Sequence, residues 1–526
     1  LNVSIAAPPA ETAWILTHVL GFDAMPETDL AAVLETATAF AEGELAPLDW
    51  KGDRAGAHLR DGRVVLPEGF HEAYQAYAAG GWMGVSAAGE HGGMGLPEVV
   101  ALAAFEPVSS ANMAFGLCPL LTQDAILLLE QHGTADQKQR LLDNLVAGRW
   151  TGTMCLTEPQ AGSDLGLIRT RAEPEGDVYR ISGQKIFITY GEHEMTENIL
   201  HMVLARLPDA PAGTAGISLF AVPRVLADGT RNAVRALSLE EKLGIHASPT
   251  CVMEFAGARG ELVGERHRGL PAMFAMMNAA RLGVAIQGVA VAERAFRRAA
   301  GFAAQRVQGG GPILAHPDVR RMLLTMRALA LGGRMLTLGA SLAEGARQAL
   351  LIPVAKAWCA DAGVEAASLG VQVHGGMGFI EETGAAQHLR DARITPIYEG
   401  TNGIHALTLL RRGLLRDQGA AVSALLAEIA GVPMLAAAAR HVDDAQRFLR
   451  QAEPRVAEAN ATRFLDALGT LTAGWHCARL LEHADAPEAA ADAAHAFLTL
   501  ILPRATAAAA MLHHPPAALL ATGAIH

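Results

Sequence analysis

The spacing of apolar positions changes character three times along the chain, and each change opens a zone with its own secondary structure. From residue 1 to about 150, apolar residues recur at helical intervals, clearest over 124–131 and 136–146. Gly80-Gly81-Trp82-Met83-Gly84 and Gly92-Gly93-Met94-Gly95-Leu96-Pro97 punctuate this zone as turns. From about 151 to 258 the period is that of strands: 178–181 and 185–189 read as two strands joined by a tight turn at Ser182-Gly183-Gln184. Residues 216–223 are apolar on both faces, which implies a buried strand, and 250–255 supply another. From about 259 to 415 helical patterns return, with 271–308 read as two helices and 319–344 as a further one. The last zone, 416–526, shows no strands. There Phe464, Leu465, Leu468, Leu471 and Trp475 share one helical face, and Pro503 should end the helix that carries 497–502.

Helices, then strands, then helices again predict an α+β protein of four domains: 1–150 N-terminal helical, 151–258 β, 259–415 a helical bundle and 416–526 a helical extension. A chain of 526 residues is too long for one core, which agrees with several domains. This order is not the strand–helix alternation of dinucleotide folds, and neither a GxGxxG nor a Walker A loop is present. A hydrophobic content of 51% owes much to alanine, and with 5% aromatics the cores must be built from Leu, Val, Met and Ala.

Charge and cysteines narrow the function. A net charge of −12 argues against nucleic acid as a partner, because phosphate contacts need a basic face. Cys118, Cys155, Cys251, Cys359 and Cys477 are scattered without ligand spacing, so neither a disulfide framework nor a metal site is expected, and a cytoplasmic location fits. The first nine residues have no secretory pattern, and no apolar stretch is read as long enough for membrane insertion. His374, His405 and the pair His513-His514 lack ligand partners in sequence, His193-Glu194 is not an HExxH, and Met276-Met277 reads as core.

The densest chemistry lies in Met154-Cys155-Leu156-Thr157-Glu158-Pro159-Gln160-Ala161-Gly162-Ser163-Asp164-Leu165-Gly166, where hydroxyls and open backbone donors sit at the edge of the β-domain. Taken alone it is a polar turn. With four further segments in order, however, it resembles the acyl-CoA dehydrogenase family. These are Gln184-Lys185-Ile186-Phe187-Ile188-Thr189, Arg306-Val307-Gln308, Gln372-Val373-His374-Gly375-Gly376-Met377-Gly378-Phe379, and Asp391-Ala392-Arg393 followed by Tyr398-Glu399-Gly400-Thr401. The resemblance spans roughly residues 30–415. It implies a middle β-barrel between the helical domains, FAD as cofactor, a homo-oligomer (dimer or tetramer) and an electron-transfer flavoprotein as electron acceptor.

Carried over position by position, the resemblance makes Glu399 the base that takes the α-proton of an acyl-CoA. It places Met154, Leu156, Thr157, Ser163, Phe187, Thr189 and Thr401 at the flavin, and Arg306, Gln308, Gln372, Gly375 and Gly376 on the dinucleotide of a neighbouring subunit. Substrate would meet Ser163, Arg281, Glu399 and Gly400. Such chemistry needs a base in a dry setting, so burial should lift the Glu399 carboxyl toward working pH.

The extension after residue 415, with Gly191-Glu192-His193, Gly244-Ile245-His246-Ala247-Ser248-Pro249-Thr250 and Glu381-Glu382-Thr383-Gly384-Ala385-Ala386-Gln387-His388, is similar to the branch that contains 3-methylmercaptopropionyl-CoA dehydrogenase. A short, medium or thioether acyl chain is the implied substrate. Two positions depart from the family pattern: His405, where relatives carry Gln, and Tyr190, where they carry a small or amide residue. The rival readings are an acyl-CoA oxidase on the same fold and a non-catalytic, DNA-associated flavoprotein. Net charge and Glu399 both count against the latter.

Overall fold

In this computed structural model residues 4–512 are described, and His513 and His514 lie outside them. The chain forms two compact units from discontinuous segments: a barrel unit of Gly43–Ala101 and Asn112–Ala280, and a bundle unit of Leu1–Glu42, Leu102–Ala111 and Arg281–His526.

The barrel unit begins with helices Ala46–Ala55 and Phe70–Ala79. Between them lies a hairpin, β1 (His58–Arg60) and β2 (Arg63–Val65), turning at Asp61 and Gly62 with φ of 51° and 76°. Only helices are expected before residue 150, so this hairpin corrects the sequence reading; its Asp-Gly pair is the residue signal that a two-residue turn requires. The two expected helical segments fall inside Met113–His132 and Ala135–Val146. Asn112 caps the first by accepting from the Phe115 N–H at 3.0 Å. Thr134 and Gln137 form a capping box at the second, reciprocally satisfying two donors that a helix start leaves open.

Seven strands follow: β3 (Trp150–Cys155), β4 (Arg171–Glu175), β5 (Val178–Thr189), β6 (Asn198–Arg206), β7 (Ile217–Pro223), β8 (Val234–Leu239) and β9 (Thr250–Val263). β6 pairs in parallel with β3 and β4 and antiparallel with β7; β7 continues through β9 and β5 back to β4, closing a barrel with β8 added on β9. Closure removes open edges, and Ile181, Val203, Phe220, Met253 and Phe255 fill the interior.

The two strands expected at 178–189 are one strand. Gly183 is not a turn residue: a Cβ there would stand 2.5 Å from Thr170 Oγ1, so the glycine permits a close approach to the segment before β4. The register against β9 slips beside it, at Ile181/Ser182, and again between Lys185 and Ile188.

In the bundle unit the principal helices are Pro317–Leu342, Gly345–His374 and the portion from Arg281 onward of the long helix Gly269–Gln305. This last helix is unbroken where two were expected. Gly288 does not end it; a Cβ there would lie 2.2 Å from the Cys359 carbonyl oxygen, so its bare backbone lets two helices touch. Arg334, fully buried, meets Glu106 at 2.7 Å and Glu293 at 2.9 Å, and Arg327 binds Glu11 and the same Glu293. These ion pairs join the N-terminal helix, the 102–111 segment and the bundle helices, since each charge needs a partner once it is out of water.

The extension comprises helices Ala420–Ala430, Ala436–Gln451, Pro454–Leu480, Glu488–Ala496 and Pro503–Met511. Phe464, Leu465, Leu468 and Leu471 are buried as expected, and Trp475 is half-buried. Pro503 opens a new helix after the Phe497–Ile501 π-turn, so the predicted break is present. The extension seats itself on the bundle through Trp358, whose indole N–H donates to Thr470 Oγ1 at 2.9 Å, and a Cβ on Gly469 would come within 2.8 Å of that ring.

Against expectation, three helical stretches among the described residues are long and apolar enough to cross a membrane by length and composition: Met113–His132, Gly269–Gln305 and Glu488–Met511. The fold buries 83%, 72% and 39% of their apolar windows, so the first two spend that surface mostly on the protein core.

Candidate active site

The bundle unit holds Glu399 on a short loop between the helices Ala385–Ala392 and Asn402–Thr408. Glu399 and Gly400 both have left-handed backbone, with φ of 54° and 88°. Gly400 suits that conformation, and a Cβ on it would also press to 3.0 Å from His405 Nε2. Glu399 has no such freedom, so its neighbours must hold it there. Asn402 N–H donates to the Pro396 carbonyl at 3.0 Å, and Thr401 Oγ1 caps the next helix by accepting from Ile404 N–H at 3.3 Å. Lys356 Nζ donates to the Gly400 carbonyl at 2.7 Å and lies 3.3 Å from Asn402 Oδ1. His405 Nε2 is 3.1 Å from the Glu399 carbonyl, and because a carbonyl only accepts, that nitrogen carries the proton. The Tyr398 hydroxyl bonds Gln287 of the long helix.

Burial raises the Glu399 carboxyl to about 7, although the Arg281 and Lys356 cations pull it down. Burial brings Lys356 down to about 7 despite the opposing pull of Glu399 and Asp361. His405 is held near about 3 by burial and by Arg281 and Lys356, so it is neutral at working pH. Arg281 is buried, and its charge acts on Glu399. The result is a carboxyl poised to take a proton near neutral pH, flanked by two cations.

The barrel unit gathers a second set. The Ile186 N–H donates to the Thr157 carbonyl at 2.9 Å, which ties the chain just after β3 to β5. Met154, Leu156 and Thr157 thus lie on the stretch that this bond ties to the strand carrying Phe187 and Thr189. Phe187 lies in the second register slip, at φ 60°, and stands 58% exposed, an apolar ring turned outward. Thr157 and Thr189 are half-buried and Ser163 is exposed on the following loop. Leu156 has its side chain buried and its carbonyl occupied by Lys185 Nζ at 2.9 Å. Glu158, which the sequence reading left unassigned, organises the loop. It accepts from Thr170 Oγ1 (2.6 Å), Lys185 Nζ (2.9 Å) and the N–H groups of Arg169 and Thr170. Burial would raise its carboxyl, but Lys185, Thr170 and the Arg169 N–H hold it at about 2.

A third set is exposed on the bundle unit. Arg306 precedes a small hairpin of β10 (Val307–Gln308) and β11 (Gly311–Pro312), and Gln308 lies on it. Gln372 is exposed in the last turn of the helix Gly345–His374; Gly375 ends that helix at φ 60°, and the Cβ positions of Gly375 and Gly376 face open space. His374 is structural, stacked on Phe302 at 4.5 Å with Nδ1 2.7 Å from the Gly370 carbonyl. These features fit a flavin dinucleotide: an outward aromatic and hydroxyls for the ring, and an exposed arginine with open glycine backbone for the diphosphate.

Lys356, the Glu158–Lys185 pair and the Tyr398–Gln287 contact escaped the sequence reading. Only Lys356 left a signal, as a single charge inside the apolar run 350–360.

Of the two departures, His405 bonds the backbone of Glu399, and Tyr190 is buried with its hydroxyl donating to the Ala114 carbonyl at 2.9 Å. The branch segments are also structural. Glu192 pairs with Arg224 and Arg231, His193 lies 3.0 Å from Thr151 Oγ1, and His246 pairs with Asp53 at 2.9 Å.

Comparison with known proteins gives a consistent picture. Three family descriptions match in order: acyl-CoA dehydrogenase N-terminal domain over 27–149, middle domain over 153–258 and C-terminal domain over 267–414. The chain is 53% identical over 420 residues to 3-methylmercaptopropionyl-CoA dehydrogenase of Ruegeria pomeroyi, covering 74% of this chain and 71% of that one. It is 34% identical to a broad-specificity linear acyl-CoA dehydrogenase of Mycobacterium tuberculosis, covering 76% and 72%. The crystal structure of Caenorhabditis elegans ACDH-11 superposes with a TM-score of 0.82 at 20% identity over 95% of this chain and 92% of that one, a likeness of fold that includes the extension.

Proposed function

The chain belongs to the acyl-CoA dehydrogenase family, and from that premise we propose that Glu399 removes the α-proton of an acyl-CoA thioester while the β-hydrogen leaves as hydride, giving a trans-2-enoyl-CoA. The observation that carries this reading is the setting of Glu399: a half-buried carboxyl on a left-handed turn, its backbone tied down on the inner side, with Arg281 and Lys356 facing it. A thioester α-proton is far less acidic than any carboxylic acid, so a carboxylate of ordinary basicity is a poor match. Raising its proton affinity from 4.5 to about 7 narrows the gap without removing the anion at working pH.

FAD, when bound, supplies the hydride acceptor. This chain would hold its ring with Met154, Leu156, Thr157, Ser163, Phe187, Thr189 and Thr401. Arg306, Gln308, Gln372, Gly375 and Gly376 would take the dinucleotide of a second copy. The apolar Val307, Met377, Phe379 and Ile380 stand exposed beside these residues, and a partner subunit seated there would cover them. The enzyme is therefore read as a dimer at least, passing electrons to an electron-transfer flavoprotein.

The substrate is read as a short or thioether acyl-CoA, on the strength of the Ruegeria relative. The residues that carry the branch likeness serve the fold, so the acyl chain is chosen elsewhere. An anaerobic bleaching screen over acyl-CoAs of graded length, thioethers included, tests both statements, and failure of every acyl-CoA to bleach the flavin refutes the reaction. Glu399→Gln should abolish bleaching while acyl-CoA still binds; bleaching near the wild-type rate would mean another base is at work.

A further inference from the structure

We propose that Lys356 is the positioning residue of the base: it holds the Gly400 carbonyl while His405 holds that of Glu399, and this double clamp fixes the left-handed step that aims the carboxylate. The inference rests on Glu399 being the base. Its grounds are independent of the family motifs, since Lys356 lies 43 residues earlier, on another helix.

A lysine with no exposed surface is rare and costly unless its ammonium is fully engaged. Here the partners are specific: the Gly400 carbonyl at 2.7 Å and Asn402 Oδ1 at 3.3 Å, with the charges of Glu399 and Asp361 nearby. Asn402 in turn donates to the carbonyl of Ala357, the residue beside Lys356, at 3.1 Å. Gly400 and Asn402 are thus both drawn onto one helix turn. The two carbonyls engaged belong to the two residues at positive φ, which is where a clamp must act if a non-glycine residue is to stay in a strained conformation. His405 contributes geometry without charge. Lys356 contributes both, and Arg281 is the other cation facing Glu399.

Lys356→Met and Lys356→Gln, measured as FAD-loaded enzyme, separate this role from a merely structural one. Flavin content and acyl-CoA affinity should stay within a few-fold of wild type, while the anaerobic bleaching rate falls on the order of 100-fold, the usual consequence of a misplaced reacting group. The acid limb of the rate–pH profile should also move up by about one unit, because a cation that favours the ionised carboxyl has gone. His405→Ala should slow bleaching without moving the limb, and it decides the question if the lysine variants do not fold. Wild-type rate and limb in Lys356→Met, or a wild-type rate in His405→Ala, overturn the clamp. Glu399→Gln is run alongside. If it stays active the base assignment fails, whereas an inactive Glu399→Gln beside wild-type-like clamp variants sinks the clamp alone.

Discussion

Lys185→Met is the perturbation whose size follows most directly from the structure. Lys185 has no exposed surface and Glu158 is 3% exposed, so the substitution leaves a carboxylate in the barrel wall without its cation. Burial alone already lowers Lys185, against the pull of Glu158, so the ammonium is costly to keep there. The pair together therefore contributes little net stability, whereas removal of one member costs the full penalty of an uncompensated buried charge, roughly 3–5 kcal/mol. For a unit of this size each kcal/mol lowers Tm by about 2–4 °C, so a fall of about 6–20 °C is expected. Glu158→Gln/Lys185→Met should recover much of that loss, because both charges leave together. Urea unfolding followed by circular dichroism on wild type, both single variants and the double closes the cycle. Lys185→Met within about 1 kcal/mol of wild type, or a double variant no better than the worse single, would refute the reasoning.

Further outcomes are expected. In wild type, kcat/KM should fall tenfold per pH unit below about 7 as Glu399 is protonated, and a limb below 5.5 would mean the carboxyl is not desolvated in solution. Arg306→Ala should lower flavin content after gel filtration; unchanged content counts against its diphosphate role. Arg334→Met strips a cation from Glu106 and Glu293 and should destabilise the bundle by roughly 3–5 kcal/mol in urea. Burial raises Glu293, but Arg327, Arg334 and Arg297 hold it at about 2 in the folded state, so its contribution is present above 4.5 and is lost as pH falls toward 2. Acid unfolding of Arg334→Met should consequently begin at higher pH than in wild type.

What could be read from the sequence was whatever the backbone demands locally. Glu399-Gly400-Thr401 is legible through its resemblance to a family motif, and the structure shows that Gly400 and Thr401 also meet local needs, a left-handed glycine and a helix cap. Pro503 and the apolar run of β7, buried on both faces, are legible from local pattern. Gly183 misled because a glycine that admits a neighbouring backbone looks, in sequence, like one that turns an element. The Asp61-Gly62 hairpin was readable and passed over. Lys356 was beyond reach of pattern, since nothing near residue 356 states which carbonyl, 44 positions later, its ammonium meets.

That distant contact also gives the extension a place in the site. The helix Pro454–Leu480 packs against Asn402–Thr408, the helix that carries His405, and against Gly345–His374, the helix that carries Lys356. Burial raises the carboxyl of Asp466 on the extension, and the nearby Asp361 raises it further. Asp361 also bonds Asn402 and feels the Lys356 charge. A line of groups therefore runs from Asp466 through Asp361 to Lys356 and the Gly400 carbonyl. Stripping the extension would uncover Trp358, which is buried on the helix that carries Lys356. The helix Pro454–Leu480 therefore backs both helices that carry the clamp residues Lys356 and His405.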